Sequence, residues 1–327
     1  MTAAPPLLEV VGLKKHYPIR HGFGRTRSVR AVDGVSFAVP AGTTFGLVGE
    51  SGCGKSTTGR LVLGLEAATE GVVRFEGRDV STLGGAGLKE LRRRAQIVFQ
   101  DPYASVNPRM RVDEIIGEPF RIHRTVPGAQ IGARVQELLD LVGLPADAAR
   151  RFPHEFSGGQ RQRIVIARAI ALRPRFVVCD EPLSALDVSV QAQIINLFRD
   201  LQAELGLAYL FISHDLSVVR HLSDQVGVMY LGRLVELGST EDVFTDPLHP
   251  YTQVLMSAIP VADPVRQRGR RRLPMRGDVP SPLEVTPGCP FAPRCPYSVD
   301  RCRTEVPEWR EVRPGHWAAC HFAPIAP

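Results

Sequence analysis

The chain has 327 residues, 44% of them hydrophobic, and a formal net charge of +6. That length suits two domains or one large domain with an appendage, and the basic balance suits nucleic acid, an anionic membrane surface or plain solubility without choosing among them. No apolar run approaches the roughly 18 residues of a membrane span, and the start, Met1-Thr2-Ala3-Ala4-Pro5-Pro6, lacks the charged-then-apolar pattern of a secretory leader, so a soluble, cytosolic chain is expected.

Residues 7–19 and 32–39 alternate roughly and read as a strand pair. The basic, glycine-bearing stretch from Arg20 to Arg30 reads as a loop. Tyr17 stands just before it, where an aromatic could stack on a purine base or simply end a strand. The apolar run Thr44-Phe45-Gly46-Leu47-Val48 is a buried strand. It runs into Gly49-Glu50-Ser51-Gly52-Cys53-Gly54-Lys55-Ser56-Thr57, which fits G-x-x-x-x-G-K-[ST], and a helix from Ser56 to about Leu65 follows. Glycines let such a loop fold into a nest of inward N–H groups, and the positive end of the helix faces the same anion. Lys55 supplies a mobile charge for the β- and γ-phosphates, and Ser56 a hydroxyl for Mg²⁺. Strand before and helix after are the context this motif needs, and they set it apart from a Gly-rich turn.

Val72 to Gly77 is a further strand and turn, Leu88 to Arg94 a short basic helix, and Gln96 to Phe99 a strand that Gln100 closes. Asp101-Pro102-Tyr103 and Asn107-Pro108 break the regular structure. From Val112 to about Leu144 the spacing is helical, interrupted at Pro119 and at Pro127-Gly128. Ser157-Gly158-Gly159-Gln160 then caps a helix over Arg161–Leu172, which stops before Pro174. This is a second glycine-rich helix start and so a second anion-binding end. It lies far along the chain from Lys55, and one chain need not close both around one phosphate. Two half-sites imply a dimer.

Phe176-Val177-Val178-Cys179 is an apolar strand ending in Asp180 and Glu181. A rigid strand end can hold Asp180 to orient a Mg²⁺ shell, and an acid one residue on can reach the attacking water as general base. Val190 to Leu205 is a helix, Ala208 to Ser213 a strand ending at His214, and Leu216 to Leu222 a short helix. Gln100 can ligate Mg²⁺ and His214 can bond a γ-phosphate, but neither residue type speaks alone. Val226–Tyr230 and Gly232–Glu236 read as a hairpin.

After about residue 245 prolines become dense and the periods fade, so a linker and a small tail are expected. Arg266, Arg268, Arg270, Arg271, Arg272 and Arg276 crowd into the linker. Of six cysteines, Cys53 lies in the glycine-rich loop and Cys179 in the apolar strand, while Cys289, Cys295, Cys302 and Cys320 gather at the end. Their spacing, C-x₅-C-x₆-C-x₁₇-C, is not a short zinc knuckle. Four thiolates suit Zn²⁺ or a four-iron cluster, and metal is favoured over unligated thiols.

Over residues 7–245 the sequence resembles the ATP-binding-cassette ATPases. The resemblance rests on the P-loop Gly49–Thr57, Gln100 as Q-loop, Ser157-Gly158-Gly159-Gln160 as signature, Asp180 and Glu181 as Walker B acids, the D-loop Ser184-Ala185-Leu186-Asp187, and His214 as H-loop. It implies an α/β fold: a P-loop NTPase (RecA-like) core with an antiparallel β subdomain and a helical subdomain about residues 101–170, together filling 1–245, with a cysteine-cluster extension over 246–327. It also implies ATP and Mg²⁺ as ligands, Glu181 and His214 as catalytic groups, Ser56 and Gln100 as Mg²⁺ ligands, and Tyr17 as the adenine-stacking ring. A narrower resemblance is to the dipeptide/oligopeptide importer ATPases, the second or F-type subunit above all. It is carried by Gln100–Arg109, Phe156–Arg163, His249-Pro250-Tyr251-Thr252 and the cysteine tail. That family pairs two different ATPases under two membrane permease subunits fed by an extracytoplasmic binding protein, at the cytoplasmic face of the bacterial inner membrane. Its members carry a [4Fe-4S] cluster on the tail cysteines, so Cys289, Cys295, Cys302 and Cys320 are expected to hold one, with Zn²⁺ the alternative. Nickel and glycan-peptide importers share this architecture. Repair-type cassette ATPases differ in placing a long coiled coil or zinc insertion between P-loop and signature. Here no sustained heptads separate Lys55 from Ser157, and no aromatics interleave the arginines, so no nucleic-acid partner is expected.

Overall fold

A computed structural model describes residues 5–21, 25–259, 273, 275, 277, 280 and 287–323. The six linker arginines lie outside the described residues. Alternation near the start produces two long strands, β1 (Leu8–His21) and β2 (Arg25–Val39). They enter the basic stretch expected to be a loop from both sides, and residues 22–24 between them lie outside the described residues. Strand hydrogen bonds run through the backbone, so a basic composition does not by itself exclude a strand. β3 (Thr44–Val48) is buried along its whole length and feeds α1 (Lys55–Val62).

Next come β4 (Glu70–Phe75), β5 (Arg78–Asp79) and α2 (Gly85–Arg94), whose last turn carries Arg92, Arg93 and Arg94 where a helix end favours cations. β6 (Ala95–Val98) precedes α3 (Val112–His123) and α4 (Ile131–Leu141). Pro119, expected to interrupt, sits inside α3. The helix buries Val112, Ile115, Ile116 and Phe120 on one face, enough to offset the roughly 3 kcal/mol a helical proline costs. α5 (Gly158–Ile170), β7 (Phe176–Asp180), α6 (Val188–Leu205), β8 (Ala208–Ser213), α7 (Leu216–Leu222), β9 (Gln225–Tyr230) and β10 (Arg233–Ser239) follow the sequence reading closely.

Two compact units result. The first comprises residues 1–8, 39–44 and 75–212. Its strands run in the order β8-β7-β6 and are parallel, with Val98 opposite Cys179 and Asp180 opposite Ile212. β7 and β8 are buried at every position, which is why both are unbroken apolar runs. In this unit α3, α4 and α5 pack against one another.

The second unit comprises residues 9–38, 45–74 and 213–327. It includes β1 flanked by β2 and β4, and a sheet continuing β3-β9-β10, in which β9 is parallel to β3 and antiparallel to β10. The chain beyond β10 has regular structure of its own. It carries α8 (Thr240–Thr245), α9 (Pro250–Ala258), α10 (Asp300–Thr304), β11 (Arg310–Arg313) and β12 (His316–Ala318). β12 extends the sheet, placing Glu236 opposite Ala318 and Leu237 opposite Trp317. Glu236 is fully buried, and its carboxylate accepts from the Leu248 N–H at 2.8 Å, the His249 N–H at 2.9 Å and His316 Nε2 at 2.8 Å. Three donors satisfy a carboxylate that burial alone would make costly.

Candidate nucleotide site

In the second unit the glycine-rich loop takes the conformation its residues permit. Gly49 has φ 154° and Gly54 φ 107°. A Cβ at Gly49 would meet the Met229 carbonyl oxygen at 2.2 Å, and one at Gly54 the Ala31 carbonyl oxygen at 2.0 Å. Both positions therefore require glycine. Gly54 is also the N-cap of α1 and gives it no side-chain cap, so the first turn presents backbone N–H groups rather than a capped end. Lys55 is 4% exposed, and its Nζ donates to the carbonyls of Gly49 and Glu50, each at 2.9 Å. Burial pushes the Cys53 thiol up, and the Lys55 ammonium partly opposes this. A loop closed around its own lysine, opening a helix, fits a phosphate group.

Tyr17 lies in β1 in the same unit. Its hydroxyl donates to Glu66, and Lys15 Nζ stands 5.0 Å over its ring. Burial and the Glu66 carboxylate raise its phenol, while a hydrogen bond with Thr57 acts the other way. The structure thus brings Tyr17 to the last residue of the loop motif. His214 follows β8, is exposed, and belongs to this unit.

Sequence reading gave no role to two residues that hold the loop. The Glu50 N–H donates to the Tyr251 hydroxyl at 2.9 Å, and Arg294 donates twice to the Glu50 carboxylate. Both contacts span about half the chain or more, and nothing local in the sequence signals them. Tyr251 is placed by α9, whose N-cap His249 accepts from the Tyr251 N–H through Nδ1 at 3.1 Å. Burial lowers His249 from 6.5 to about 3. In the unfolded chain this imidazole protonates below about 6.5, whereas in the fold it stays neutral to about 3. The stability it contributes is complete above pH 6.5 and is lost as pH falls toward 3, at most about 1.4 kcal/mol per pH unit. His249→Asn, which keeps an acceptor at the cap, is expected to flatten the fall of Tm between about pH 6 and 4. Parallel Tm curves for both proteins would refute this.

In the first unit Asp180 ends β7 and is 6% exposed. Glu181 follows with φ 48°, a left-handed conformation rare for such a residue. Its N–H donates to the Ile212 carbonyl at 3.0 Å, the Ser184 hydroxyl donates to its carbonyl at 3.1 Å, and Gln100 Nε2 donates to its carboxylate at 3.1 Å. Gln100 and Glu181 are therefore brought together, next to Asp180.

Ser157 and Gln160 form a reciprocal cap at the start of α5. The Ser157 Oγ accepts from the Gln160 N–H at 3.3 Å, and Gln160 Oε1 accepts from the Ser157 N–H at 3.0 Å. Gly159 has a packing reason as well as an electrostatic one, since a Cβ there would meet Val190 Cγ1 of α6 at 2.4 Å. Asp187 caps α6, and hydrogen bonds from the Ser189 hydroxyl and the Val190 N–H hold its carboxyl below the usual range.

The four tail cysteines line one narrow cavity with Phe291 and Phe322. Burial, reinforced by the other three thiols, pushes Cys289 up to about 12. Four sulfur donors around one space suit soft-metal chemistry. Among the described residues, however, no three His, Cys, Asp or Glu side chains are arranged to hold a metal ion.

A glycine-shaped loop opening a helix after a buried strand, and a parallel-strand end carrying paired acids, define a P-loop nucleotide-binding fold. Comparison with known proteins narrows the class. The ABC transporter family matches residues 32–184, and the oligopeptide/dipeptide transporter C-terminal region matches 235–302. The chain is 51% identical over 330 residues to an oligopeptide transport ATP-binding protein, AppF, of Bacillus subtilis, covering 98% of this chain and 99% of that one. It is 52% identical to a putative peptide import ATP-binding protein of Brucella ovis, covering 96% and 97%. Among solved structures, the dimeric cassette MJ0796 bound to ADP and Pi aligns with TM-score 0.63 at 26% identity, over 71% of this chain and 98% of that one. CbiO1 of Clostridium perfringens, part of the transporter complex cbiONQ, aligns with TM-score 0.64 at 26% identity, over 74% and 91%. The chain belongs to the ATP-binding proteins of ABC transporters, in the branch that carries the oligopeptide/dipeptide C-terminal region.

Proposed function

We propose that this chain binds and hydrolyses ATP to power an ABC importer of di- and oligopeptides. One observation carries the reading: the likeness to an oligopeptide transport ATP-binding protein runs through nearly the whole of both chains. In this reading the labour is divided. The loop Gly49–Gly54 and the start of α1 hold the phosphates, Lys55 turns from the loop carbonyls to the β- and γ-oxygens, and Tyr17 stacks on the adenine. Ser56 and Gln100 would ligate Mg²⁺ and Asp180 would orient its shell, and the ion would neutralise charge on the phosphate oxygens. Glu181 takes the proton of the attacking water, and His214 orients that water against the γ-phosphate. Ser157, Gly158, Gly159 and Gln160 close on the nucleotide of a second, paralogous ATPase, as two cassettes meet head to tail. ATP drives closure through its greater affinity for the closed state.

Residues 1–245 form the nucleotide-binding domain in this reading, with a helical part about 101–170, and 246–327 the transporter-type C-terminal extension. The segment about 101–120 contacts two permease subunits, which receive peptide from an extracytoplasmic binding protein. The chain sits at the cytoplasmic face of the bacterial inner membrane and needs no nucleic acid.

Co-expressed with permeases and partner ATPase from neighbouring genes, the chain is expected to co-purify with them in a membrane complex. Its ATPase rate should rise when the binding protein arrives loaded with peptide. Stimulation by nickel and not by peptide would overturn the cargo. The same preparation, kept anaerobic, tests a second assignment: Cys289, Cys295, Cys302 and Cys320 ligate a [4Fe-4S] cluster, with Zn²⁺ the alternative. Iron and acid-labile sulfide are expected in equal amounts, about four each per chain. Folded protein lacking iron, sulfide and zinc would end that assignment.

A further inference from the structure

Glu50 is an acid in the middle of a loop otherwise shaped for an anion. Its carboxylate accepts from Arg294 Nη1 at 2.6 Å and Nη2 at 3.0 Å, a two-pronged pair. The Arg294 side chain is 7% exposed and that of Glu50 25%, so water and salt screen the pair weakly. The guanidinium is held from behind. The N–H groups of Arg294 and Cys295 both donate to the Phe291 carbonyl at 2.9 Å, fixing the turn that carries the side chain. The Phe291 ring is buried and lies 5.3 Å from both Tyr230 and Tyr251. Tyr251 in turn accepts from the Glu50 N–H at 2.9 Å. Both backbone and side chain of Glu50 are therefore anchored by the C-terminal part of the chain.

We propose that Arg294 is a positioning residue of the nucleotide site: it cancels the Glu50 charge and fixes the first half of the P-loop, so the C-terminal segment sets ATP affinity. The proposal rests on the loop Gly49–Thr57 being the phosphate site. Without Arg294, an uncompensated carboxylate would face the triphosphate at short range. It would also compete for Lys55, whose ammonium sits on the Glu50 carbonyl. Like charges at such separation in a partly buried site weaken binding by an order of magnitude or more.

The test measures Mg·ATP affinity of the purified full chain and KM and kcat of the assembled complex. Arg294→Ala is expected to raise Kd and KM about tenfold or more while kcat changes less than about threefold. Adding Glu50→Gln in that background is expected to tighten binding again, because the offending charge is gone. A merely structural loss would not be relieved by removing the partner. Arg313→Ala breaks the Arg313–Asp246 pair in the same segment and is expected to leave affinity unchanged. Should Arg294→Ala not fold, Arg294→Gln, which keeps a hydrogen-bonding amide in the same space, carries the same expectation. Native affinity in a folded Arg294 variant, or no relief by Glu50→Gln, overturns the proposal. Lys55→Ala separates the two failures: if it too binds normally, the reading of the loop has failed, and if it alone loses nucleotide, only the role of Arg294 has.

Discussion

Glu181→Gln is expected to leave Mg·ATP binding near normal and to lower turnover of the assembled transporter about 10²- to 10⁴-fold, the range a positioned general base supplies. The substitution is nearly isosteric, so the local fold should persist. The Glu181 N–H still donates to the Ile212 carbonyl and its carbonyl still accepts from Ser184. The left-handed backbone at φ 48° is unchanged by the swap of a side-chain oxygen for an amide. Gln100 can still donate to the remaining side-chain oxygen. What disappears is the capacity to accept a proton from water. Because Asp180 and the loop around Lys55 are untouched, ATP should stay bound and the closed dimer should accumulate. Single-turnover hydrolysis and nucleotide retention on the same preparation separate binding from chemistry. Near-normal ATPase would remove Glu181 from the base position, and loss of binding would make its role one of affinity.

Much of this was legible because each motif carries its own local physics. Gly49 and Gly54 stand where a Cβ would strike a carbonyl, and the buried runs of β3, β7 and β8 are apolar throughout because both faces are covered. Ser157 reads as an N-cap from its place before the helix, and the structure adds the reciprocal bond from Gln160. What spacing could not disclose is long-range. Arg294 reads as one more tail arginine until the turn at Phe291 aims it at Glu50. Tyr251 belonged to a recognisable stretch, yet its hydroxyl's place under the P-loop depends on where α9 is docked. β11 and β12 have four and three residues, too few for an alternation to register, and they exist because β10 offers an edge. Charge misled over Arg25–Arg30, which β2 takes up although the stretch reads as a loop, and proline misled at Pro119, which a buried helical face overrides.

Lys55→Ala is expected to weaken Mg·ATP binding about a hundredfold. The side chain is buried, and its ammonium bonds two carbonyls of its own loop. Those carbonyls are a resting place that phosphate oxygens can replace, since the ammonium donates charge-assisted bonds to either but only the phosphate brings an opposite charge. The added attraction of opposite charges, roughly 4 kcal/mol at 4 Å and an effective dielectric near 20 before desolvation is subtracted, leaves about 3 kcal/mol in favour of the nucleotide, which is about two decades of affinity. Alanine removes that gain and also the stem that fills the loop, so Lys55→Met is the sharper variant. It keeps a long apolar chain in the same space and deletes only the charge. If packing alone held the loop, Met would bind as the native chain does and Ala would not. If the ammonium carries the affinity, both lose it alike, and the rise in Tm on adding Mg·ATP shrinks in both. Native nucleotide affinity in Lys55→Met would place the triphosphate on some other part of the protein.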